Sequence, residues 1–404
     1  MLLPRAGAFF LLKYLKIEDF SVQKRLNFFW SVLRPPVRAF CYLKFGYTCK
    51  VAKDLPDHYI VLSNHTTDYD GLFTACSFPR QMYYVASEHI ARWKRGFKIV
   101  NFLVAPILRK KGTTAAATII DILRKVRKGA NVCMFAEGIR SWDGITCPIA
   151  PTTGSLIKAS RCALVTYRIS GGYFASPMWS TKNTRKGYLH GEVVNVYTAE
   201  QIAAMSDDEI NRIIHDDLHE DAYARQAEKP CKYKGKRLAE SLENLLYVCP
   251  FCGKIDTLRS KGDRVSCTAC DGFFTYDAFG YLHGAPDTTV TALAARQTAT
   301  AAQMADQNTS VFAENARVYT LENHEEVTLA EGKFTMNADG ISCGELHVPF
   351  SDIAELSMRG RRFLLFSFGK TYCEMTAPEG NNIYKFYEYY RLVQAKNTQT
   401  ADQA

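Results

Sequence analysis

Tyr59-Ile60-Val61-Leu62-Ser63-Asn64-His65-Thr66-Thr67-Asp68-Tyr69-Asp70 opens as a short apolar run and closes as a polar turn. The run Tyr59 to Leu62 predicts a buried strand. Within one regular helix, five residues at about 100° each would leave His65 and Asp70 roughly 140° apart. They can face each other if the chain bends after His65 and Asp70 lies in the first turn of the next helix. Strand-to-helix turns are good places to expose reactive groups. Histidine is the usual general base near neutral pH, and a carboxylate behind it fixes the tautomer and stabilises the imidazolium. Two other readings fit the same residues. Asp68 or Asp70 could cap the following helix. A metal-dependent hydrolase is the other, and it would need further ligands, with only His58 and His89 near in sequence.

Outward from this stretch the pattern alternates. Residues 113–128 predict a helix, with Ile119, Ile120, Leu123 and Val126 on one side and Gly129 as its stop. Val132 to Phe135, Leu164 to Ile169 and Glu192 to Tyr197 predict strands, and 206–228 an acidic helical region. Strands alternating with helices to about residue 200 indicate an α/β domain with a mixed sheet flanked by helices.

Two more blocks end apolar strands. Phe135-Ala136-Glu137-Gly138-Ile139-Arg140-Ser141 brings an acid, a glycine and an arginine to a strand end, and the planar guanidinium matches a phosphate. An ordinary Glu–Arg ion pair beside a turn is the bland reading. Ala105-Pro106-Ile107-Leu108-Arg109-Lys110-Lys111-Gly112 ends in three cations, suited to phosphate or to solvent.

An H-x-x-x-x-D block, an apolar-to-Arg block and an F-x-E-G-x-R-S block, in that order over residues 55–230, resemble the glycerolipid acyltransferase family, best known for the 1-acylglycerol-3-phosphate acyltransferases. The resemblance implies that His65 is the base and Asp70 its partner. It implies that Glu137, Gly138 and Arg140, with Ser141 closing the block and Arg109 assisting, hold the acceptor's phosphate or glycerol end. It implies transfer of a fatty acyl group from a thioester donor, acyl-CoA or acyl-carrier protein, to a lysophospholipid hydroxyl. Ala136 stands where the family usually has Pro, and Ile139 where it has Thr. No Gly matches the one often found before the second block's Arg. Gly171 to Pro177 only loosely echoes a fourth, Pro-containing block. These departures leave the acceptor open. No Ser lies in a G-x-S-x-G elbow and no Cys pairs with a His, which disfavours a covalent acyl-enzyme.

Cys249-Pro250-Phe251-Cys252 and Cys267-Thr268-Ala269-Cys270 are two C-x-x-C knuckles, each followed by or near a Gly, that predict a zinc ribbon. Four thiolates make a closed, structural site. Such cysteines must stay reduced, which favours the cytosolic side of a membrane. Beyond it, short strands from Phe334 to Met375 and a helix from Asn381 to Val393 predict a β-rich, pleckstrin-homology-like domain with a capping helix. Turns are expected at Asn337–Gly340 and Arg359–Arg361.

The chain has 404 residues, 47% of them apolar, and a net charge of +9. Residues 1–150 carry +13, 151–245 carry +1 and 246–404 carry −5. The basic end suits an anionic partner. The ribbon is not strongly basic, and nucleic acid is not expected. Phe9, Phe10, Leu12, Tyr14, Leu15, Phe20, Val22, Leu26, Phe28, Phe29, Trp30, Val32 and Leu33 alternate with Lys and Arg up to Pro35-Pro36, which should break the helix. That composition suits a helix lying in a bilayer interface, or one packed on its own domain. No signal peptide or spanning segment is read. The expected layout is amphipathic helices at 1–48, acyltransferase domain at 49–232, zinc ribbon at 240–284, helical linker at 285–315, β-domain at 316–396 and a disordered tail at 397–404. The expected location is the cytoplasmic face of the cell membrane, peripheral or monotopic. Competing readings are an acyltransferase on another lipid, or an inactive membrane-associated binding protein.

Overall fold

The run at Tyr59 lies at the middle of a seven-stranded sheet. In this computed structural model the described residues are 6–93, 95–110, 115–181, 184–322 and 325–403, the side chains of 6–21 and 398–403 excepted. The strands are β1 (Tyr47–Cys49), β2 (Tyr59–Ser63), β3 (Tyr83–Ser87), β4 (Ile107–Arg109), β5 (Val132–Phe135), β6 (Ala163–Ser170) and β7 (Leu189–Tyr197), in the order β1-β7-β6-β2-β5-β3-β4. All neighbours are parallel except β6 and β7, so the sheet is mixed as expected. Every residue of β2 is buried, which explains why its sequence is a continuous apolar run rather than an alternating one. Tyr59 and Val61 point into one core with Phe73, Phe78 and Tyr167. Ile60 and Leu62 point into the other, with Ile122 and Val126 of helix Ala116–Arg127 and Ile210 and Ile214 of helix Asp207–Leu218.

Strand register aligns the loops at one edge of this sheet. Ser63 of β2 is partnered with Phe135 of β5, and Ser87 of β3 with Arg109 of β4. The loops bearing His65, Glu137 and Arg140 therefore leave neighbouring strand ends on the same edge, the carboxyl edge where open parallel sheets hold their ligands.

One helix, Ala6–Phe45, precedes the sheet, and Pro35-Pro36 does not break it. Interior proline costs about 3 kcal/mol. Here tertiary anchors flank the pair: Trp30 Nε1 donates to the Phe78 carbonyl at 3.0 Å, Arg34 Nε to that of Cys76 at 3.3 Å, and Leu26, Cys41 and Phe45 are buried. The aromatic residues read at Phe9 to Phe20 lie outside the described side chains. On the rest of the helix Phe28, Val32, Phe40 and Leu43 are exposed. Among the described residues, no helix is long and apolar enough to cross a membrane.

Two further sheets follow in the C-terminal half. The cysteine segment holds β8 (Leu258–Lys261), β9 (Arg264–Cys267), β10 (Phe273–Tyr276) and β11 (Leu282–His283). A separate seven-stranded antiparallel sheet holds β12 (Val311–Glu322), β13 (Glu325–Met336), β14 (Gly340–Cys343), β15 (Leu346–Pro349), β16 (Ile353–Arg359), β17 (Phe363–Phe368) and β18 (Thr371–Thr376). Its order, β15-β14-β13-β12-β18-β17-β16, brings the first strand beside the last and curls the sheet. β12 begins at Val311, inside the segment read as linker, with half of its residues buried, and it pairs with a first half of β13 that is exposed and polar, which hid the hairpin. Helix Val290–Asp306 fills the rest of that linker. The final helix, Tyr384–Gln403, runs on through the expected tail, where neither Gly nor Pro interrupts it. One hydrophobic core joins all the parts: Tyr167 of the first sheet, Trp179 after it, Tyr276 of β10 and Phe366 of β17 belong to it.

The cysteine segment folds as the four-stranded antiparallel sheet β11-β10-β9-β8. The Sγ atoms of Cys249, Cys252, Cys267 and Cys270 all lie within 4.8 Å of one another. Cys249 and Cys270 are 3.9 Å apart and Cys252 and Cys267 3.8 Å, far beyond a disulfide. Tetrahedral thiolates at the usual ~2.3 Å from a metal stand about 3.8 Å apart, so these two separations match those of ligands on one ion. Replacing Cys249 and Cys267 by Ser is expected to remove about one metal per chain by elemental analysis, and an unchanged content would rule the site out.

Candidate active site

The chain bends after His65, and Asp70 is the first residue of helix Asp70–Ser77. His65 Nδ1 meets Asp70 Oδ2 at 2.8 Å. The same oxygen accepts the backbone N–H of Thr66 (2.5 Å) and of Thr67 (2.9 Å), while Oδ1 accepts the Thr67 hydroxyl (2.6 Å) and the Thr66 hydroxyl (3.3 Å). The helix N-terminus adds a favourable dipole. Asp70 caps nothing: the cap position is Tyr69, without a side-chain bond, and the carboxylate reaches back toward the strand instead. Because Asp70 accepts from every partner, Nδ1 carries the proton and Nε2 is left basic. Phe135 stacks on the imidazole, centroids 4.5 Å apart, and fixes its plane.

The second block clamps the histidine backbone. Glu137 Oε1 accepts the His65 N–H and Oε2 the Cys147 N–H, both at 2.5 Å. The Ser141 N–H donates to the His65 carbonyl at 2.9 Å, and Ser141 Oγ accepts from Gly144 at 3.0 Å. Both side chains are buried, and neither lines the cavity beside His65. Glu137 and Ser141, expected to hold the acceptor, here spend these hydrogen bonds on the loops around His65 and stand outside the cavity lining. Burial pushes the Glu137 carboxyl up to about 8, against the pull of the Cys147 and His65 amides. Gly138 sits at φ +70° with open space around it, so the backbone conformation requires glycine there.

Asn64 ties this loop to the next strand, its amide exchanging two hydrogen bonds with the Ile169 backbone at 2.9 and 2.7 Å. Gly172, in the loosely matching fourth block, packs so tightly that a Cβ would stand 2.1 Å from Thr66 Oγ1. That block thus backs the histidine loop.

His65, Gly138, Arg140 and Arg109 line one cavity of about 740 Å³. Its walls are largely apolar, with Val85, Ile119, Ile122, Met134 and Leu156 among them. Arg140 is buried, 6% exposed. Its Nη1 lies 3.3 Å from Asp68 Oδ2, close enough for charge but not aligned as a hydrogen bond, so that buried nitrogen has no acceptor. Such a group costs about 1–3 kcal/mol until it finds one. Burial lowers the Arg140 pKa, and the charges of Asp68 and Asp70 oppose this. Arg109 reaches the cavity but gives Nη2 to Glu355 of β16 at 2.6 Å. Lys111 and Gly112 of its block lie outside the described residues. No metal-ligating group gathers at His65 among the described residues, the cysteine site being the group found.

Sequence reasoning missed Thr66, Thr67 and Phe135 as parts of the site. Two hydroxyl residues between a His and a helix-opening Asp were the available signal. Nothing local could have pointed to Glu355, Met358, Arg359 or Gly360, which reach the cavity or its rim from a distant domain.

The acyltransferase family model matches residues 48–170. No curated protein matches the chain. One solved structure similar to it is the 1-acyl-sn-glycerophosphate (LPA) acyltransferase PlsC from Thermotoga maritima, at 16% identity and a TM-score of 0.40, over 57% of this chain and 90% of that one. That likeness is too loose to assign chemistry. The matched stretch begins within β1, ends with β6 and encloses the His65–Asp70 pair. Residues 48–170, with the His65–Asp70 pair among them, are thus similar to the acyltransferase family.

Proposed function

We propose that this protein transfers a fatty acyl group from acyl-CoA or acyl-carrier protein to the hydroxyl of a lysophospholipid, most simply 1-acylglycerol-3-phosphate. The observation that carries this reading is His65, held through Nδ1 by Asp70 with Nε2 left to an apolar cavity that also contains buried Arg140. His65 Nε2 takes the acceptor's proton as its oxygen attacks the thioester carbonyl. The C–O bond forms, the C–S bond breaks, and the departing thiolate collects the proton from the imidazolium. Asp70 stabilises that imidazolium, and positioning supplies much of the rate. For the acceptor's anionic end, Arg140 offers a buried Nη1 that has no hydrogen-bond partner. An inactive binding protein would have no need of so completely built a His–Asp pair.

Three further assignments belong to this reading. The cysteine site holds structural zinc, the ion that four-thiolate tetrahedral ribbons take. The curled sheet with its terminal helix is pleckstrin-homology-like. The protein works on the cytoplasmic face of a membrane, lying on it. Exposed Phe28, Val32, Phe40 and Leu43 support this, as do Trp93, Ile99 and Phe102 from the segment after β3. Phe102 packs against Phe29 at 5.3 Å, and Arg25 lies over its ring at 4.5 Å, so the two apolar stretches adjoin with a cation between them. Mixed aromatic and basic surface is what an anionic bilayer interface binds.

His65→Ala is expected to lower kcat by roughly 10²- to 10⁴-fold with lysophosphatidate and acyl-CoA, and survival of full activity would remove the base. Glu137→Gln turns an amide toward one of two backbone N–H groups. It should cut kcat by about tenfold or more while leaving acceptor KM little changed, whereas a KM effect alone would return Glu137 to substrate binding. Vesicles rich in anionic lipid should float with the protein, less so at high salt, and Phe28→Ser with Leu43→Ser should abolish this. Equal flotation of that variant would place the membrane contact elsewhere.

A further inference from the structure

The active-site cavity is not enclosed by the acyltransferase domain alone. The turn joining β16 to β17, Arg359-Gly360-Arg361, belongs to the C-terminal β-domain, yet Met358, Arg359 and Gly360 line the cavity that holds His65 and Arg140. Three contacts fix it there. Arg361 donates Nε to the Met178 carbonyl and Nη2 to that of Ser180, in the loop after the fourth block. Arg109 reaches out to Glu355 at 2.6 Å. Arg92 and Arg359 share the fully buried Glu374, Arg359 Nη2 at 2.6 Å.

Charge does not balance at this seam. Burial alone would push the Glu374 carboxyl up, but Arg92, Tyr319 and Arg359 outweigh it and hold it down at about 2. One carboxylate thus answers two guanidinium groups. Arg361 meets only carbonyls, and burial together with the nearby Arg140 charge pushes it down to about 10. Arg359 Nε, like Arg140 Nη1, is buried with no acceptor. Two residues that line one cavity, Arg140 and Arg359 from different domains, each keep one buried guanidinium nitrogen without an acceptor, and the Asp68 carboxylate beside Arg140 is largely exposed.

Resting on the acyl-transfer reading, we propose that the C-terminal domain supplies half of the acceptor site: Arg359, together with Arg140 of the same cavity, holds a phosphomonoester headgroup at the seam between the two domains. A phosphate oxygen would satisfy both open nitrogens and neutralise the surplus charge. Apolar walls then take the lipid's chain, and the acceptor hydroxyl faces His65. The appended domain becomes a reader of the headgroup, so an acceptor without a phosphate gains nothing from it.

The test uses the purified full-length protein with acyl-CoA, and either lysophosphatidate or an uncharged monoacylglycerol of the same chain. Arg359→Gln should raise KM for lysophosphatidate by about tenfold or more, the loss of one charge-assisted hydrogen bond, with kcat and monoacylglycerol kinetics nearly unchanged. Arg359→Lys keeps a charge for Glu374 and hence the fold, but lacks the Nε donor, and it should fall between. An unchanged lysophosphatidate KM in either folded variant would overturn the proposal. Should the unaltered protein transfer no acyl group, calorimetry with sn-glycerol 3-phosphate decides. Binding that Arg359→Gln weakens would keep the two-domain anion site and sink only the acyl-transfer reading. No binding to the unaltered protein would sink the site itself.

Discussion

The carboxylate of Asp70 is the point around which the site is organised. It accepts from the imidazole, from two backbone amides and from two threonine hydroxyls. Those bonds dictate the bend after His65, the tautomer of its ring and the start of helix Asp70–Ser77. A longer or neutral side chain could not gather the same donors. The β2–β5 register then decides who stands beside the histidine, because pairing Ser63 with Phe135 places Glu137 level with His65. A slip of one residue would turn every side chain of β2 to the opposite core and part the two loops.

Around that centre, residues divide by where their polar atoms are satisfied. Glu137 and Ser141 exhaust their capacity on the backbone of His65 and its neighbouring loops. Arg140 keeps a buried nitrogen in reserve. A motif that reads as one acceptor-binding block is thus two things: a frame for the His65 loop and a single cation lining the cavity.

The three parts of the chain behave as one body. A single hydrophobic core runs from the first sheet through the cysteine-bearing sheet into the curled one. Arginines cross the seams in both directions, Arg92 and Arg109 outward from the acyltransferase domain and Arg361 inward from the β-domain. Buried Arg185, between β6 and β7, stacks near Trp179 and donates to Tyr276 of β10, pinning the ribbon to the catalytic domain. These buried contacts tie the cysteine-bearing sheet and the curled sheet to the first sheet.

The chain's own text determined the local elements and the chemistry they carry. The apolar run of β2, the His–Asp spacing, the strand-end glycine and arginine, and the paired knuckles are all short-range patterns, set by burial periodicity, turn conformation and ligand geometry. Its limits were also physical. Pro35-Pro36 argued for a break that side-chain anchors to Phe78 and Cys76 override, and the exposed half of the β12–β13 hairpin lacks the apolar code that marks a strand. What only the tertiary structure decided is which polar atoms are left without partners and which distant segments meet them. Glu137 turning to the His65 backbone depends on the pairing of β2 with β5, while Arg109 finding Glu355 and the β16–β17 turn arriving at the cavity depend on how the two larger sheets pack together, and no spacing within the sequence encodes a contact between residues more than two hundred positions apart.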